Sequence, residues 1–290
     1  MNRTIKKIGI VIKPHAPQIE KIIRELMDWL GKRGVECILE KPAAEKIEKK
    51  DFVLREKIAE KVDLIIVLGG DGTFLSIAHL AAKENVPVLG VNLGSLGFLT
   101  EVPLGELYST LENYFDGKKE IISSRKMLKA RAGDEIYYGL NDIVINKGAL
   151  ARIIQLGLTI NGNYLGILRA DGLIISTPTG STAYSLAAGG PILAPGIPAI
   201  ILTPICPHTL SFRPMVLPME FKIKIELLTK GEEVYLTVDG QRGKPLRSGD
   251  WVEVEEAEFS LSLISSPKRN YFQLLQEKLG WGKIPKIRKD

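Results

Sequence analysis

Cysteine is scarce: Cys37 and Cys206 are the only two in 290 residues, far apart and without metal-ligand spacing. That argues against a disulfide framework or a zinc site. It fits a reducing, cytoplasmic setting in which both are expected to be inert core thiols. No run has the length and continuity of a membrane helix. The longest uncharged stretch, which includes residues 185–212 and ends at Arg213, carries Pro191, Pro195, Pro198, Pro204 and Pro207. Each would remove a helix hydrogen bond, so the stretch is read as buried loop and strand. Behind Arg3, Lys6 and Lys7, only the apolar run 8–12 precedes Lys13 and Pro14, far short of a secretory core, so no export is expected. Excess charge is also small, at +5. Part of it sits near the C-terminus on Lys283, Lys286, Arg288 and Lys289, read as a solvated end. No basic face interleaved with aromatics is found, which argues against a nucleic-acid partner. The mild positive balance suits anionic small ligands.

What is present is an alternation of short β-branched runs with helical patterns over the first third, the mark of a parallel sheet covered by helices. Residues 7–12 read as a strand. Ile19, Ile22, Ile23, Leu26, Trp29 and Leu30 share one helical face, Gly34 supplies a stop, and a strand over 35–39 follows. The charged segment 41–50 is expected to be loop, with a short helix around 51–61. The continuously apolar run 64–68 is expected to be a buried parallel strand. A helix and a strand at 88–92 come next, then the glycine-rich stretch 94–98. Leu104, Leu107, Leu111 and Phe115 suggest a helix closed near Gly117.

From about Ser124 the pattern changes to short alternating strands, expected at 127–131, 136–138, 142–146, 153–160 and 164–168, with Asn161-Gly162 as a turn. Strands at 222–228, 234–238, 251–254 and 259–263 continue it, with Asp239-Gly240 as another turn. The amphipathic segment 271–279 is expected to return to the first domain. Domains are therefore expected at 1–123, with 268–290 packing back, and at 124–267.

The run 64–68 leads directly into Gly69-Gly70-Asp71-Gly72-Thr73, and an apolar helical pattern begins at once with Phe74 and Leu75. A strand, a tight glycine turn and a helix N-terminus make a phosphate cradle, because backbone amides can approach phosphate oxygens closely there. A carboxylate in such a loop needs a chemical reason. Phosphoryl transfer gives one, with Asp71 aligning and deprotonating an attacking hydroxyl while Mg²⁺ spreads the phosphate charge. The plain alternative is that Asp71 caps its own helix, and on this loop alone the two readings weigh equally. No G-x-x-x-x-G-K-[ST], no G-x-G-x-x-G after a strand and no protein-kinase catalytic loop occurs.

A second constellation repeats the plan at 169–187: an apolar strand, a small-residue loop and a helix start. The five hydroxyl residues Ser176, Thr177, Thr179, Ser181 and Thr182 crowd that loop. They are able to make turns. With Arg169 and Asp171 upstream and Tyr184 downstream, a nucleoside-binding use is preferred.

The loop 69–73 together with 171–191 resembles the NAD kinase family, which phosphorylates the adenosine ribose 2′-hydroxyl of NAD. Asn141-Asp142 resembles the family's Asn-Glu pair, and residues 202–210 with Arg213-Pro214 resemble its proline-rich segment. Val238-Asp239-Gly240-Gln241 resembles its late turn. The first loop is shared with diacylglycerol kinases and phosphofructokinases, whereas the second segment is specific. The resemblance implies an α/β plus β architecture: a Rossmann-like N-terminal α/β domain, a β-rich C-terminal domain, and a last helix returning to the first.

By position, the resemblance makes Asp71 the proton acceptor and the catalytic residue, with Gly72 beside it and Gly69, Gly70, Gly72 and Thr73 as the phosphate loop. Asn141 and Asp142 would hold the dinucleotide. Arg152, Arg169, Asp171, Thr182, Ala183, Tyr184, Ser185, Leu186, Ala187 and Gln241 would complete its pocket, with Asp239 a further candidate outside that set. Asp142 is one methylene shorter than the usual Glu, and Ala187 stands where a Ser is frequent. His15, His79 and His208 are assigned no catalytic part. The substrates implied are NAD with ATP or polyphosphate, the cofactor Mg²⁺, and the assembly a homodimer or homotetramer. The alternatives are a lipid or sugar kinase sharing the first loop, and a dinucleotide-binding regulator without turnover.

Overall fold

The computed structural model of the chain describes residues 5–209 and 211–281, Lys119 by its backbone alone. The basic residues from Lys283 onward, Arg3, and Leu210 of the proline-rich segment lie outside that description. The chain divides into two compact units, Met1–Ser123 with Ser262–Asp290, and Ser124–Leu261.

The first unit alternates strands and helices: β1 (Lys7–Ile12), α1 (Ile19–Gly31), β2 (Glu36–Leu39), α2 (Lys41–Lys46), α3 (Arg55–Ile58), β3 (Leu64–Gly69), α4 (Asp71–Lys83), β4 (Val88–Asn92), β5 (Val102–Pro103) and α5 (Leu107–Phe115). The strands are parallel, in the order β2, β1, β3, β4, β5. All six residues of β3 are buried, as expected for a strand covered on both faces. Helix α1 buries Ile19, Ile22, Ile23, Leu26 and Leu30, the stripe that its 3.6-residue period dictates. Gly34 follows at φ 71°, a left-handed position that glycine occupies without strain.

The expected loop at 41–50 is corrected: Lys41–Lys46 forms α2, with Pro42 in the first turn and Ala43 and Ala44 fully buried. Proline costs no hydrogen bond in a first turn and alanine is the best helix former. The charges of Lys41, Glu45 and Lys46 lie on the outside of a helix, not in a loop.

The second unit is a β-sandwich. Its elements are β6 (Ile122–Ala132), β7 (Glu135–Gly139), β8 (Asp142–Lys147), β9 (Ile154–Ile160), β10 (Asn163–Ala170), β11 (Gly172–Ser176), α6 (Tyr184–Ala187), β12 (Ala199–Ile205), β13 (Met215–Pro218), β14 (Ile223–Leu227), β15 (Val234–Val238), β16 (Arg242–Leu246) and β17 (Trp251–Ile264). One antiparallel sheet runs β13, β12, β11, β8, β15, β16. Strands β10, β9, β14 and β17 line the other face in antiparallel register, and Ile143, Ile175 and Leu236 pack with Leu156, Ile225 and Val254 in one apolar core. Alternation is plain in β14, where Ile223, Ile225 and Leu227 point inward and Lys224 and Glu226 outward.

Residues 251–254 and 259–263 do not form separate strands; β17 is continuous through its acidic middle. Ala257 stays buried there, and Glu255 and Glu258 find Lys222 and the Tyr138 hydroxyl at 2.7 and 2.8 Å. Cross-strand partners remove the like-charge cost that would break the strand. Strands β13 and β16 carry Pro218 and Pro245 and lie at the two edges of their sheet, where a missing N–H is tolerated. Cys206 is exposed, not a core thiol, and Cys37 is half-buried, its thiol pushed up to about 11 mainly by burial.

Helix α7 (Tyr271–Leu279) belongs to the first unit, buries Leu274 and Leu275, and is tied by Arg269 Nη1 to the Glu101 carbonyl at 3.0 Å. Asn270 and Gln273 form a reciprocal capping box, each side chain accepting the other's backbone N–H at 3.0 Å. Asn270→Ala should lower stability by about 1 kcal/mol in urea denaturation, and Asn270→Asp should restore most of it.

Candidate functional site

In the first unit, β3 delivers Gly69 to the carboxyl end of the parallel sheet. Gly70 then starts α4 in an extended conformation with no side-chain cap, leaving Asp71, Gly72 and Thr73 as the first helical turn. The positive helix end and the first-turn backbone face the place where phosphate would lie. The helix thus starts inside the glycine loop, three residues before Phe74.

Asp71 does not tie off its own helix. Its carboxylate reaches across to the segment after β4, where Oδ1 accepts from Leu99 N at 3.1 Å, Thr100 N at 3.0 Å and Thr100 Oγ1 at 2.9 Å. Oδ2 accepts from Phe98 N at 2.9 Å. An ionised carboxylate offers about four acceptor positions, two per oxygen. Oδ1, with three donors for about two positions, is more than filled, and Oδ2, with one donor, keeps one position for another. The fit is close: a Cβ on Gly97 would stand 2.0 Å from Oδ1 and 2.3 Å from Thr100 Oγ1. The residues 98–100 were missed as partners of Asp71; the glycine spacing in Gly94-Ser95-Leu96-Gly97 was their only trace in sequence.

In the second unit, three neighbouring strands bring most of the candidate dinucleotide residues to one end of the sheet. β8 begins at Asp142 opposite Ser176, where β11 ends, and β15 ends at Val238 opposite Ile143. Asn141, Asp142, the segment 177–187 and Asp239 to Gln241 therefore share that end. Asp239 organises it. Its buried carboxylate accepts Leu140 N at 2.8 Å, Asn141 N at 2.7 Å and Asp142 N at 3.0 Å. It sits at φ 52°, a conformation Asp tolerates better than most residues. Asp239 was ranked behind residues that it holds in place; its turn position gave the only signal.

Most hydroxyls of the 176–182 run are spent internally, which corrects their expected use on a nucleoside. Thr177 Oγ1 donates to the Leu140 carbonyl at 2.6 Å and Ser176 Oγ to that of Thr177 at 2.9 Å. Ser181 Oγ donates to the Pro178 carbonyl at 2.7 Å. Of the candidates that follow, Ser185 is fully buried against Thr203, with 2.8 Å between hydroxyls. Tyr184 and Ala187 are exposed, and Thr182, Ala183 and Leu186 half-buried. Gly180 is indispensable, since a Cβ there would meet the Asn141 carbonyl at 2.1 Å.

Arg152, Arg169 and Asp171 are not brought to this end. Asp171 precedes β11, five residues from Ser176, roughly 17 Å along a strand. There Asp171 meets Lys147 Nζ at 3.4 Å, while Arg169 and Arg152 are exposed. Gln241 is exposed beside Asp239.

Burial and the charge of Asp239 push the Asp142 carboxyl up to about 7. Burial also raises Asp239, but its three amide donors and Arg242 pull it back, so Asp142 is the member that holds the proton near neutrality. A carboxyl whose folded pKa lies above its unfolded value contributes its full stability below the unfolded pKa and loses it as pH rises to the folded one. The window here is about pH 4 to 7. Asp142→Asn, which never ionises, should gain stability relative to the parent across that window, by on the order of 4 kcal/mol in total. A pH-independent difference in urea midpoints would refute the assignment.

Residues 8–119 match the family model of the ATP-NAD kinase N-terminal domain and residues 140–266 that of the ATP-NAD kinase C-terminal domain. The chain is 48% identical over 283 residues to the NAD kinase of Geotalea daltonii, covering 96% of this chain and 99% of that protein. It is 48% identical over 284 residues to that of Syntrophotalea carbinolica, with the same coverage. Among solved structures, yeast NADH kinase complexed with NADH superposes with a TM-score of 0.89 at 28% identity, covering 99% of this chain and 91% of that one. An NAD kinase from Archaeoglobus fulgidus in complex with ATP gives 0.77 at 25%, covering 93% and 99%. With both domain models matched and nearly half of all residues shared with relatives along almost the whole length, the chain belongs to the NAD kinase family.

Proposed function

We infer that the chain is an NAD kinase, a phosphotransferase that moves a phosphoryl group from ATP to the adenosine ribose 2′-hydroxyl of NAD and so makes NADP. The observation that carries the chemistry is Asp71, a carboxylate in the first turn of α4 with one acceptor position left on Oδ2. Both domains of the family are matched, while a lipid or sugar kinase would share the first loop alone. The retained aspartate argues against a regulator without turnover.

In this reading the glycine loop 69–73 and the positive end of α4 hold donor phosphates. Asp71 takes the hydrogen bond, then the proton, of the attacking hydroxyl through Oδ2, which keeps that oxygen in line with the phosphorus. In the β-rich unit, Asn141, Asp142, the exposed face of 182–187 and Gln241 hold the dinucleotide. A protonated Asp142 would donate to a ribose or amide oxygen where an ionised one only accepts. Mg²⁺ usually enters such sites chiefly on substrate phosphates; with the one open position of Asp71 given to the hydroxyl, the donor phosphates lying on the glycine loop 69–73 would hold the ion. When bound, the ion neutralises charge that develops on the transferred group. Polyphosphate as an alternative donor and a cytoplasmic location are retained as expectations; among the described residues no helix is long and apolar enough to cross a membrane.

A homodimer or homotetramer is proposed as the working form. What supports it is the separation of Arg152, Arg169 and Asp171 from Asn141 and Tyr184 by the length of a strand, a gap that a second copy would close for a dinucleotide touching both groups. The exposed side chains of Tyr164, Leu165 and Ile167 on β10 are apolar surface of the kind copies bury.

NADP formation from NAD, ATP and Mg²⁺ by the purified protein tests the activity; none formed would refute it. Asp71→Asn should keep NAD affinity within a few-fold in calorimetry while turnover falls by a factor on the order of 100 or more. For the assembly, Asn141→Ala and Asp171→Ala should each be nearly inactive, and co-expressed mixed oligomers should regain about a quarter of parent activity or more, because one site receives both intact halves. No recovery in mixed oligomers confirmed by mass would exclude the shared site.

A further inference from the structure

A buried ion pair lies next to the phosphate loop without belonging to it. Glu40 is completely buried, an expensive place for a carboxylate unless it is paired and hydrogen-bonded. It is both: Arg55 grips it as a fork, Nε to Oε2 at 2.7 Å and Nη2 to Oε1 at 2.9 Å. Oε1 also accepts Ile12 N, the last amide of β1, at 2.7 Å. Ile12 pairs with Leu68, the residue before Gly69. The remaining guanidinium nitrogen, Nη1, donates to Ser76 Oγ at 2.9 Å, and Ser76 Oγ donates to the Thr73 carbonyl at 2.7 Å.

We propose that Arg55 is a positioning residue for phosphoryl transfer, acting through Ser76 on the first turn of α4. The chain of bonds ties both sides of the loop 69–73 to one buried charge. On one side stands the end of β1 beside β3. On the other stands Thr73, two residues after Asp71. A serine bonding back to the carbonyl three residues earlier is common and local. The bond from Arg55 is neither, because it comes from another helix and is anchored by a carboxylate that, among the described residues, forms its ion pair with Arg55. An arginine serves here where a lysine would not, since only a planar fork can saturate Glu40 and still present a third N–H to Ser76. The consequence is rigidity in the turn that aims Asp71, and small misplacements of catalytic groups lower turnover steeply.

The inference rests on the kinase reading, and the experiment separates the two. Arg55→Ala would strand a buried charge and risk the fold, so the probe is Ser76, which touches neither substrate nor Glu40. Ser76→Ala should lower kcat about tenfold, leave the KM for NAD within about twofold, and leave the melting temperature within about 2 °C. Ser76→Thr, whose hydroxyl can bond the same carbonyl, should restore kcat to within about threefold of the parent. An unchanged kcat in Ser76→Ala, or a loss that Ser76→Thr does not rescue, overturns the positioning role. Absence of NAD phosphorylation in the parent protein instead overturns the kinase reading itself.

Discussion

A carboxylate that collects consecutive main-chain amides from a distant segment is the interaction on which the loop architecture depends. Asp71 does this to Phe98, Leu99 and Thr100 from 27 to 29 positions away. Asp239 does it to Leu140, Asn141 and Asp142 from 97 to 99 away. Loop amides have no ladder to satisfy them and cannot stay buried unpaired. One charged acceptor with several lone pairs settles three at once, through bonds stronger than neutral ones. The same device thus shapes the segment facing the phosphate loop in one unit and the Asn141 corner in the other. Each aspartate fixes backbone first, and its neighbours inherit their positions.

That ordering explains which parts of the molecule could be read from its residues. Strand β3 and the loop after it were legible because a run of buried aliphatics followed by glycines has few other uses. The turns at Asn161-Gly162 and Asp239-Gly240 were legible because both pairs adopt positive φ, the geometry those dipeptides are chosen for. Helix α2 was not, because the charges of Lys41, Glu45 and Lys46 hid two buried alanines. Edge strands β13 and β16 were masked by prolines that only an edge permits. In the candidate site the residue types were readable and their partners were not: nothing local tells that Asp71 looks to Thr100, or that Thr177 spends its hydroxyl on Leu140. Long-range hydrogen bonds leave no periodicity.

The two buried carboxyls of the β-rich unit show how similar groups acquire different states. Asp239 and Asp142 lie close enough for the charge on one to raise the other. Asp239 has three amide donors, which favour the ionised form; Asp142 starts a strand and has burial against it. Like charges in a dry corner do not both ionise cheaply, so the hydrogen bonds decide which one does. With its carboxyl pushed up to about 7, Asp142 keeps a protonated, donating form up to the neutral range.

For Asp71 hydrogen bonding sets geometry. Four donors converge on its carboxylate and fix how it is turned. In the proposed phosphoryl transfer that is the useful property, because the transition state is loose and the attacking oxygen need not be fully deprotonated before the phosphorus begins to move. What the reaction does need is a fixed acceptor that holds the hydroxyl in line. A carboxylate with Oδ1 saturated and a single position left on Oδ2 has little freedom to turn. The bonds that hold it give it direction, and direction is what this reaction asks of it.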